Sequence, residues 1–523
     1  MSSNRGYYKT EVEFDLADIR NKNLGTVNRS QKTYTYDEAI DMAGTGCYSY
    51  FLMLTSSLTL LSMCIDIFSF SVVVGGSRCE FPPLDVHQKS ALMSMPFLGP
   101  VIMSYAWGYL SDTRGRRRCL SLGMWGSFIA SSLVAFSPHY AVSGILKFIS
   151  SSFCTCAQST TYALLGESTS QRARGYFMLM VTGFLNMCFS SYIVPAFFIL
   201  NAEFSFIVFG YNVLPWRVLA LVLALPMGIC GILLHFIYES PKFLANAGRK
   251  REAVEVLANI WRRNGKKGKY PVEILDFTED PNISQRRSQP FLSSLRHQTA
   301  PLFQPPLLFR TLQLFYLTNI FYSISNSLTV WFPFIAESFF NGLHSSNEDT
   351  AQGLCLMIDQ AKRVNSTAEV ACTTAIDPNT VYGGLGQGLS YFAIMLVIST
   401  LASRKKMLML SLLVISCFCG VASVLVPNNV VDFVMFFGLL LNNLCMGIVY
   451  SYFVDLYPTS YRGMVACLGT IVARSSSLIG INVIGVYFLE HCSITIYACT
   501  AYLFSGLLVS LFLPPDKPKK IQE

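Results

Sequence analysis

Three ionisable side chains, Asp66, Lys147 and Arg474, lie inside long apolar stretches of this 523-residue chain. A charge in such a place costs at least about 2.5–3.5 kcal/mol on membrane-insertion scales, so each needs a partner or a task. Arg474 sits near the middle of its run, where it can pair with an acid or with helix carbonyls. Asp66 can line a cavity, pair with Arg474 or Lys147, take a proton, or reach water at the end of its run. Lys147 lies only about seven residues inside its stretch and can snorkel outward. Along another run, Gln313, Asn319, Tyr322, Asn326 and Trp331 recur at helical spacing. They suit either contact with a solute or hydrogen bonding between helices. Enzyme constellations are missing: there is no P-loop, no His or Cys cluster with zinc spacing, and no extramembrane stretch sized for a catalytic core. The reading is therefore of a protein that is not an enzyme and uses no cofactor or metal.

The elements that must position these residues follow from composition. Hydrophobic types make up 52% of the chain and charged types 13%, against about 25% charged in ordinary soluble domains. A spanning helix needs about 20 apolar residues. Twelve such runs are present: 47–74, 90–111, 119–137, 140–165, 175–200, 216–237, 307–336, 381–402, 407–426, 430–453, 463–488 and 492–513. Backbone groups in lipid must bond internally, so each run is expected to be helical. Residues 1–46 are polar and mixed in charge, without the short apolar core of a cleavable signal.

Lys and Arg orient the chain. With the N-terminus cytoplasmic, 32 of the 39 fall on the cytoplasmic side and 5 opposite, while Lys147 and Arg474 remain in spans. Both termini are thus expected in the cytoplasm. The net charge of +8 reports this topology and gives no reason to expect nucleic acid. The expected organisation is a tail (1–46), six spans (47–237), a connector (238–306), six more spans (307–513) with a luminal loop at 337–380, and a tail (514–523). In the connector, Pro241 to Asn264 reads as one or two short amphipathic helices, and the Pro-containing remainder reads as irregular. The halves repeat. Glu167, Arg174 and Gly175 recur 288 positions later as Asp455, Arg462 and Gly463, and the same offset carries Arg116 onto Arg404. Two loops matching at one offset indicate a duplicated six-helix unit.

The most specific motif is Gly108-Tyr109-Leu110-Ser111-Asp112-Thr113-Arg114-Gly115-Arg116-Arg117-Arg118, between the second and third runs. Gly115 permits a tight reversal, and Asp112 can cap the next helix or pair with a nearby arginine. Its pattern resembles the signature loop of major facilitator transporters. Tyr238-Glu239-Ser240-Pro241-Lys242 is similar to a segment of sugar and organic-ion porters. Asp455-Leu456-Tyr457-Pro458-Thr459 with Arg462 resembles one of organic-ion transporters. Tyr36-Asp37-Glu38-Ala39 with Gly44-Thr45-Gly46, and Trp216-Arg217-Val218, resemble synaptic vesicle glycoprotein 2-like proteins. The second half keeps only Ser403-Arg404-Lys405-Lys406 of the signature loop.

The resemblance covers 34–513. It implies an all-α membrane protein, twelve transmembrane helices in two six-helix bundles, moving a small organic solute through the bilayer by alternating access. The rival is a transport-silent vesicle glycoprotein acting through partners; plasma membrane and vesicle are both open, and no coupling ion is named. Arginine at the position of Arg474 resembles organic-anion transporters, where cation transporters carry aspartate, and implies an anionic solute. Asp66, Lys147, Asn319, Tyr322 and Trp331 complete the implied solute site. Asp112, Gly115, Arg116, Glu167, Arg174, Asp455 and Arg462 form the implied gating set. In the empty protein, Asp66 is expected to neutralise Arg474.

Most cysteines lie in apolar runs and read as small buried side chains. Cys355 and Cys372 share the luminal loop and are the expected disulfide, with Cys79 and Cys492 a second candidate pair. Three sequons begin at Asn28, Asn282 and Asn365, and only Asn365 falls on the luminal side. A glycosidase-sensitive mass shift should therefore vanish in Asn365→Gln. Its persistence in that variant would contradict the orientation or the loop assignment.

Overall fold

The computed structural model describes residues 33–202, 204–208, 211–276, 299–345, 353–365, 375–400, 404–426, 428–457 and 459–514. Each of the twelve apolar runs forms helix among its described residues, and the helices are numbered here as spans 1 to 12. The first half comprises Cys47–Phe68 continued by Phe70–Gly76, Val86–Arg114, Arg116–Leu133, Tyr140–Cys154 with Cys156–Glu167, Gln171–Leu185 with Cys188–Leu200, and Pro215–Leu233. The second comprises Leu308–Ser345, Pro378–Thr400, Lys405–Leu425, Asn429–Leu439 with Cys445–Leu456, Thr459–Glu490 and Cys492–Leu511.

Ten of these helices are long and apolar enough to cross a membrane by length and composition alone, among the described residues. Spans 2 and 7 fall short in apolarity, and their packing supplies the reason. Span 7 buries Thr311, Gln313, Thr318, Ser325, Asn326 and Ser327. Asn326 donates to Ser477 Oγ at 2.7 Å and Trp331 Nε1 to the Ile481 carbonyl at 3.1 Å, both on span 11. A Cβ at Gly485 would lie 1.8 Å from Trp331 Nε1, so only glycine lets span 11 admit that indole. Span 2 is held similarly, with Ser90 Oγ donating to the Ile481 carbonyl at 3.1 Å and Trp107 Nε1 to the Ser152 carbonyl at 2.6 Å. Polar side chains satisfied inside the protein do not meet lipid. The outward faces of other spans do, presenting Leu54, Ile129, Phe198, Leu225, Phe418 and Phe504. So wide a display of apolar side chains suits a bilayer as solvent and not water.

One face carries the N-terminal segment and the connector, and is called the connector face. Pro241–Asn246 and Lys250–Arg263 form the two expected connector helices. The stretch expected to be irregular holds a short strand, Ile274–Asp276, parallel to Thr33–Thr35. Pairing between segments so far apart in sequence leaves no local signal. Behind the first strand, helix Tyr36–Ala43 starts in a capping box of Thr35 and Glu38 and buries Tyr36, Ala39, Ile40 and Ala43. Its end is clamped by Asn264, whose amide donates to the carbonyls of Ala43 and Gly44 at 3.2 and 2.7 Å. Tyr270 OH donates to the Ala39 carbonyl at 2.6 Å, and Tyr36 OH to the Glu167 carbonyl. Burial pushes both phenols above their ordinary range, so they remain donors. The motif before span 1 is thus a clamp between tail, connector and the loop after span 4.

On the opposite face, helix Leu354–Asn365 lies over the starts of spans 10 and 12, and the Leu354 amide donates to Asp432 Oδ2 at 3.1 Å. That docking joins Cys355 to Cys492. Both expected pairings are therefore corrected: Cys355 is not linked to Cys372, which lies outside the described residues, and Cys79 is not linked to Cys492. Sharing a loop gave Cys372 no advantage once the helix carrying Cys355 packed on span 12. Cys79 is disulfide-bonded as well. The sequon asparagine Asn365 ends the docked helix; its side chain and the rest of the sequon lie outside the described residues. Peptide mapping without reduction should recover Cys355 linked to Cys492. Recovery of either as a free thiol would contradict this arrangement.

Candidate functional site

Arg474 lies midway along span 11 and is only 4% exposed. Its Nη2 donates to Gln158 Oε1 on span 4 at 3.0 Å, joining the two halves of the chain. Its Nε has no hydrogen-bond partner among the described residues, and no carboxylate among them forms an ion pair with it. Tyr322 on span 7, Cys64 on span 1 and Cys154 on span 4 lie within electrostatic range. Tyr450 on span 10 lies within electrostatic range of Tyr322. Tyr162 on span 4 is within electrostatic range of Tyr450 and Cys64. Spans 1, 4, 7, 10 and 11 thus converge on one cationic centre.

Asp66 is elsewhere engaged. Lys147 Nζ approaches Asp66 Oδ1 at 2.5 Å and donates also to the Asp66 carbonyl at 3.1 Å. Ser131 donates to Oδ1 and Ser150 to Oδ2, each at 2.8 Å. Both side chains of the pair are buried, at 4% and 0% exposure. The expectation that Asp66 neutralises Arg474 is corrected, because Lys147 on span 4 already holds the acid. Lys147 likewise does not snorkel. Asn319 accepts a hydrogen bond from Tyr502 OH on span 12, and Trp331 is fully buried against span 11. Of the six residues expected around the solute, the structure gathers Arg474 and Tyr322. The remaining four make other contacts.

The gating residues form a network at the connector face. Gly115, at φ +106°, turns span 2 into span 3, and a Cβ there would lie 2.5 Å from Glu239 Oε2. Freed by that turn, the Arg116 and Arg117 amides both donate to Glu239 Oε1, at 2.8 and 3.0 Å. The Arg116 guanidinium reaches Asp112 at 2.9 Å and Glu167 at 3.2 Å. Ser240 donates to Glu167 Oε2. Arg174 has a buried Nε without a hydrogen-bond partner among the described residues. The side chains of Asp455 and Arg462 lie outside those residues.

Contacts across the halves are plentiful at the opposite face. Arg78 meets Glu337 at 2.6 Å, and the Lys89 ammonium lies 4.7 Å above the Phe334 ring. Ser190 donates to the Gly384 carbonyl at 2.9 Å, while Asn201 and Ile376 exchange bonds of 3.0 and 2.7 Å. A cavity of about 430 Å³ lies beside these contacts, between spans 1, 5 and 7.

Residues 42–481 match the family model described as Major Facilitator Superfamily. The chain belongs to the major facilitator superfamily. It is 23% identical over 530 residues to synaptic vesicle 2-related protein of Xenopus laevis, covering 99% of this chain and 88% of that one. Over 257 residues it is 26% identical to organic cation/carnitine transporter 7 of Arabidopsis thaliana, 49% of this chain and 48% of that one. The inward-open xylose transporter of E. coli superposes with a TM-score of 0.62 at 16% identity, covering 90% of this chain and 98% of that one, a likeness of fold.

In this superfamily member, sequence reasoning missed Gln158, Tyr162 and Tyr450. A single amide in an apolar run carries no signal of its own. The two tyrosines, however, are separated by the repeat offset of 288. The Asp66–Lys147 pair gives a test of the buried network. Asp66→Ala should cost about 3–5 kcal/mol, because it strands a buried ammonium, and Asp66→Ala with Lys147→Met should recover most of it. Thermal melting in detergent checks this; equal losses in single and double variants would contradict it.

Proposed function

We propose that this protein carries a small organic solute across a membrane by alternating access, as a secondary active or facilitative transporter, and that the solute bears an anionic group held by Arg474. The observation that supports this reading is a buried guanidinium whose described polar partner is a neutral amide. Leaving a cation desolvated without a counter-charge is unfavourable. A carboxylate or sulfonate would supply that charge and two parallel hydrogen bonds. The Tyr322 hydroxyl, within electrostatic range of Arg474, stands ready to share it.

The connector face is the cytoplasmic one in this reading, since the segments expected on the cytoplasmic side carry 32 of the 39 Lys and Arg residues. Arg474 and Gln158 belong to different halves, so a solute that replaces Gln158 alters a contact between them. Binding would thereby favour one arrangement of the halves over the other. The Arg116 network ties the loops after spans 2, 4 and 6 into one unit at the cytoplasmic end. The Arabidopsis relative is named for organic cations and carnitine, so cations and zwitterions belong among the solutes offered.

Uptake into proteoliposomes is the test. A transported anion should be found, Arg474→Lys should retain part of its uptake, and Arg474→Asp should abolish it. Arg474→Ala should raise the half-saturation concentration at least about thirtyfold, equivalent to about 2 kcal/mol. Normal affinity in Arg474→Ala would reduce Arg474 to a structural role and remove the anion preference. Absence of flux for every solute would favour a transport-silent protein.

A further inference from the structure

The repeat offset of 288 relates more than the loops. It carries Tyr162 onto Tyr450, Thr182 onto Thr470 and Met178 onto Ala466. In the first half, Tyr162 OH bonds with Thr182 Oγ1 at 3.0 Å, and Thr182 donates to the Met178 carbonyl at 2.9 Å. In the second, Tyr450 OH bonds with Thr470 Oγ1 at 3.4 Å, and Thr470 donates to the Ala466 carbonyl at 3.0 Å. The same three-member chain has therefore been kept in both copies.

The helices carrying these tyrosines are also matched. Span 4 is interrupted at Thr155, and its connector-side part is the twelve-residue helix Cys156–Glu167. Span 10 is interrupted by the 3-10 turn Leu440–Leu444, and its connector-side part is the twelve-residue helix Cys445–Leu456. Breaks at equivalent depth give both half-helices a place to bend against the rest of their spans.

Depth follows from helix geometry. Tyr162 is four residues beyond Gln158, and Thr470 four residues before Arg474, both steps leading toward the connector face. Each pair shares a helix face and differs by about 6 Å in height. The phenols therefore form a layer one turn below the Arg474–Gln158 layer. Each hydroxyl is bonded to a threonine of its own half, so motion between the halves leaves it satisfied. Large rings can then meet and part without exposing or orphaning a buried polar group.

We propose that Tyr162 and Tyr450 are paired positioning residues that close the central site toward the connector face, their half-helices bending at Thr155 and Leu440–Leu444. The proposal rests on alternating access but not on the charge of the solute. Cys64, a free buried thiol beside Arg474, reports on it. In membrane vesicles, a membrane-impermeant maleimide is added to one face, and modification of Cys64 is followed by peptide-resolved mass spectrometry.

From the connector face, Tyr162→Ala/Tyr450→Ala should label Cys64 about tenfold faster than the unmodified protein, as expected for a shifted open population. Tyr162→Phe/Tyr450→Phe keeps the rings and should stay within about twofold. Labelling from the other face should not change. If the alanine pair lowers the melting temperature, Tyr162→Leu/Tyr450→Leu replaces it, with the same expectation. Unchanged labelling in a folded variant lacking both rings, or an equal increase from both faces, would overturn the proposal. If anion uptake fails while Cys64 still responds, the charge assignment falls and the closure stands.

Discussion

A guanidinium carries five donors and no acceptor, so burying one leaves a charge and donors that its surroundings must answer. Arg474 therefore imposes a constraint on everything around it. An acid beside it would settle the electrostatics permanently and leave a structural ion pair. Here Asp66, an acid buried in the first half, is instead held by Lys147, Ser131 and Ser150. That separation leaves Arg474 with Gln158, a partner that can hold the arginine in place without cancelling its charge. Lys147 and Arg474, both buried, thus differ in what answers their charge. Lys147 balances an acid and knits spans 1, 3 and 4 together, whereas in the proposed reading Arg474 keeps its field for a solute.

A second constraint concerns which bonds cross between halves. The clamp on the N-terminal helix, the Arg116 network and the Asp66 cluster each lie within the first half and its connector. Such bonds persist however the halves rock. The Arg474–Gln158, Arg78–Glu337, Ser190–Gly384 and Asn201–Ile376 contacts cross the divide and have to be remade if the halves separate. The charge-assisted Arg474–Gln158 bond contributes about 1.5–3 kcal/mol net, and neutral hydrogen bonds such as Ser190–Gly384 only about 0.5–1.5 kcal/mol each. Charged and half-exposed pairs such as Arg78–Glu337 contribute about as little. Individually breakable contacts across a movable boundary, with stronger networks on its first side, are what reversible rocking requires.

Much of this was legible in the sequence because lipid is a demanding solvent. Apolar runs gave twelve helices, and the cost of charge singled out Asp66, Lys147 and Arg474. Spans 2 and 7 show where apolarity stops being informative, since side chains sheltered by neighbouring helices need not be apolar. What the chain did not reveal depends on non-local geometry. Gln158 gains meaning only from its distance to Arg474, and Cys355 chose Cys492 because a short helix docked on span 12. The strand pairing of Thr33–Thr35 with Ile274–Asp276 is equally remote. Tyr162 and Tyr450 were visible through the repeat, but their shared threonine bonds were not.

The central claim is that Arg474 lacks a permanent counter-charge so that a solute can provide one. Gln158→Glu tests it directly by placing a carboxylate within 3.0 Å reach of the guanidinium. Uptake of the transported anion into proteoliposomes is the decisive measurement, with thermal melting confirming the new ion pair. The account predicts a protein that melts higher and no longer accumulates the anion. Wild-type anion uptake in Gln158→Glu, with the fold intact, would contradict it.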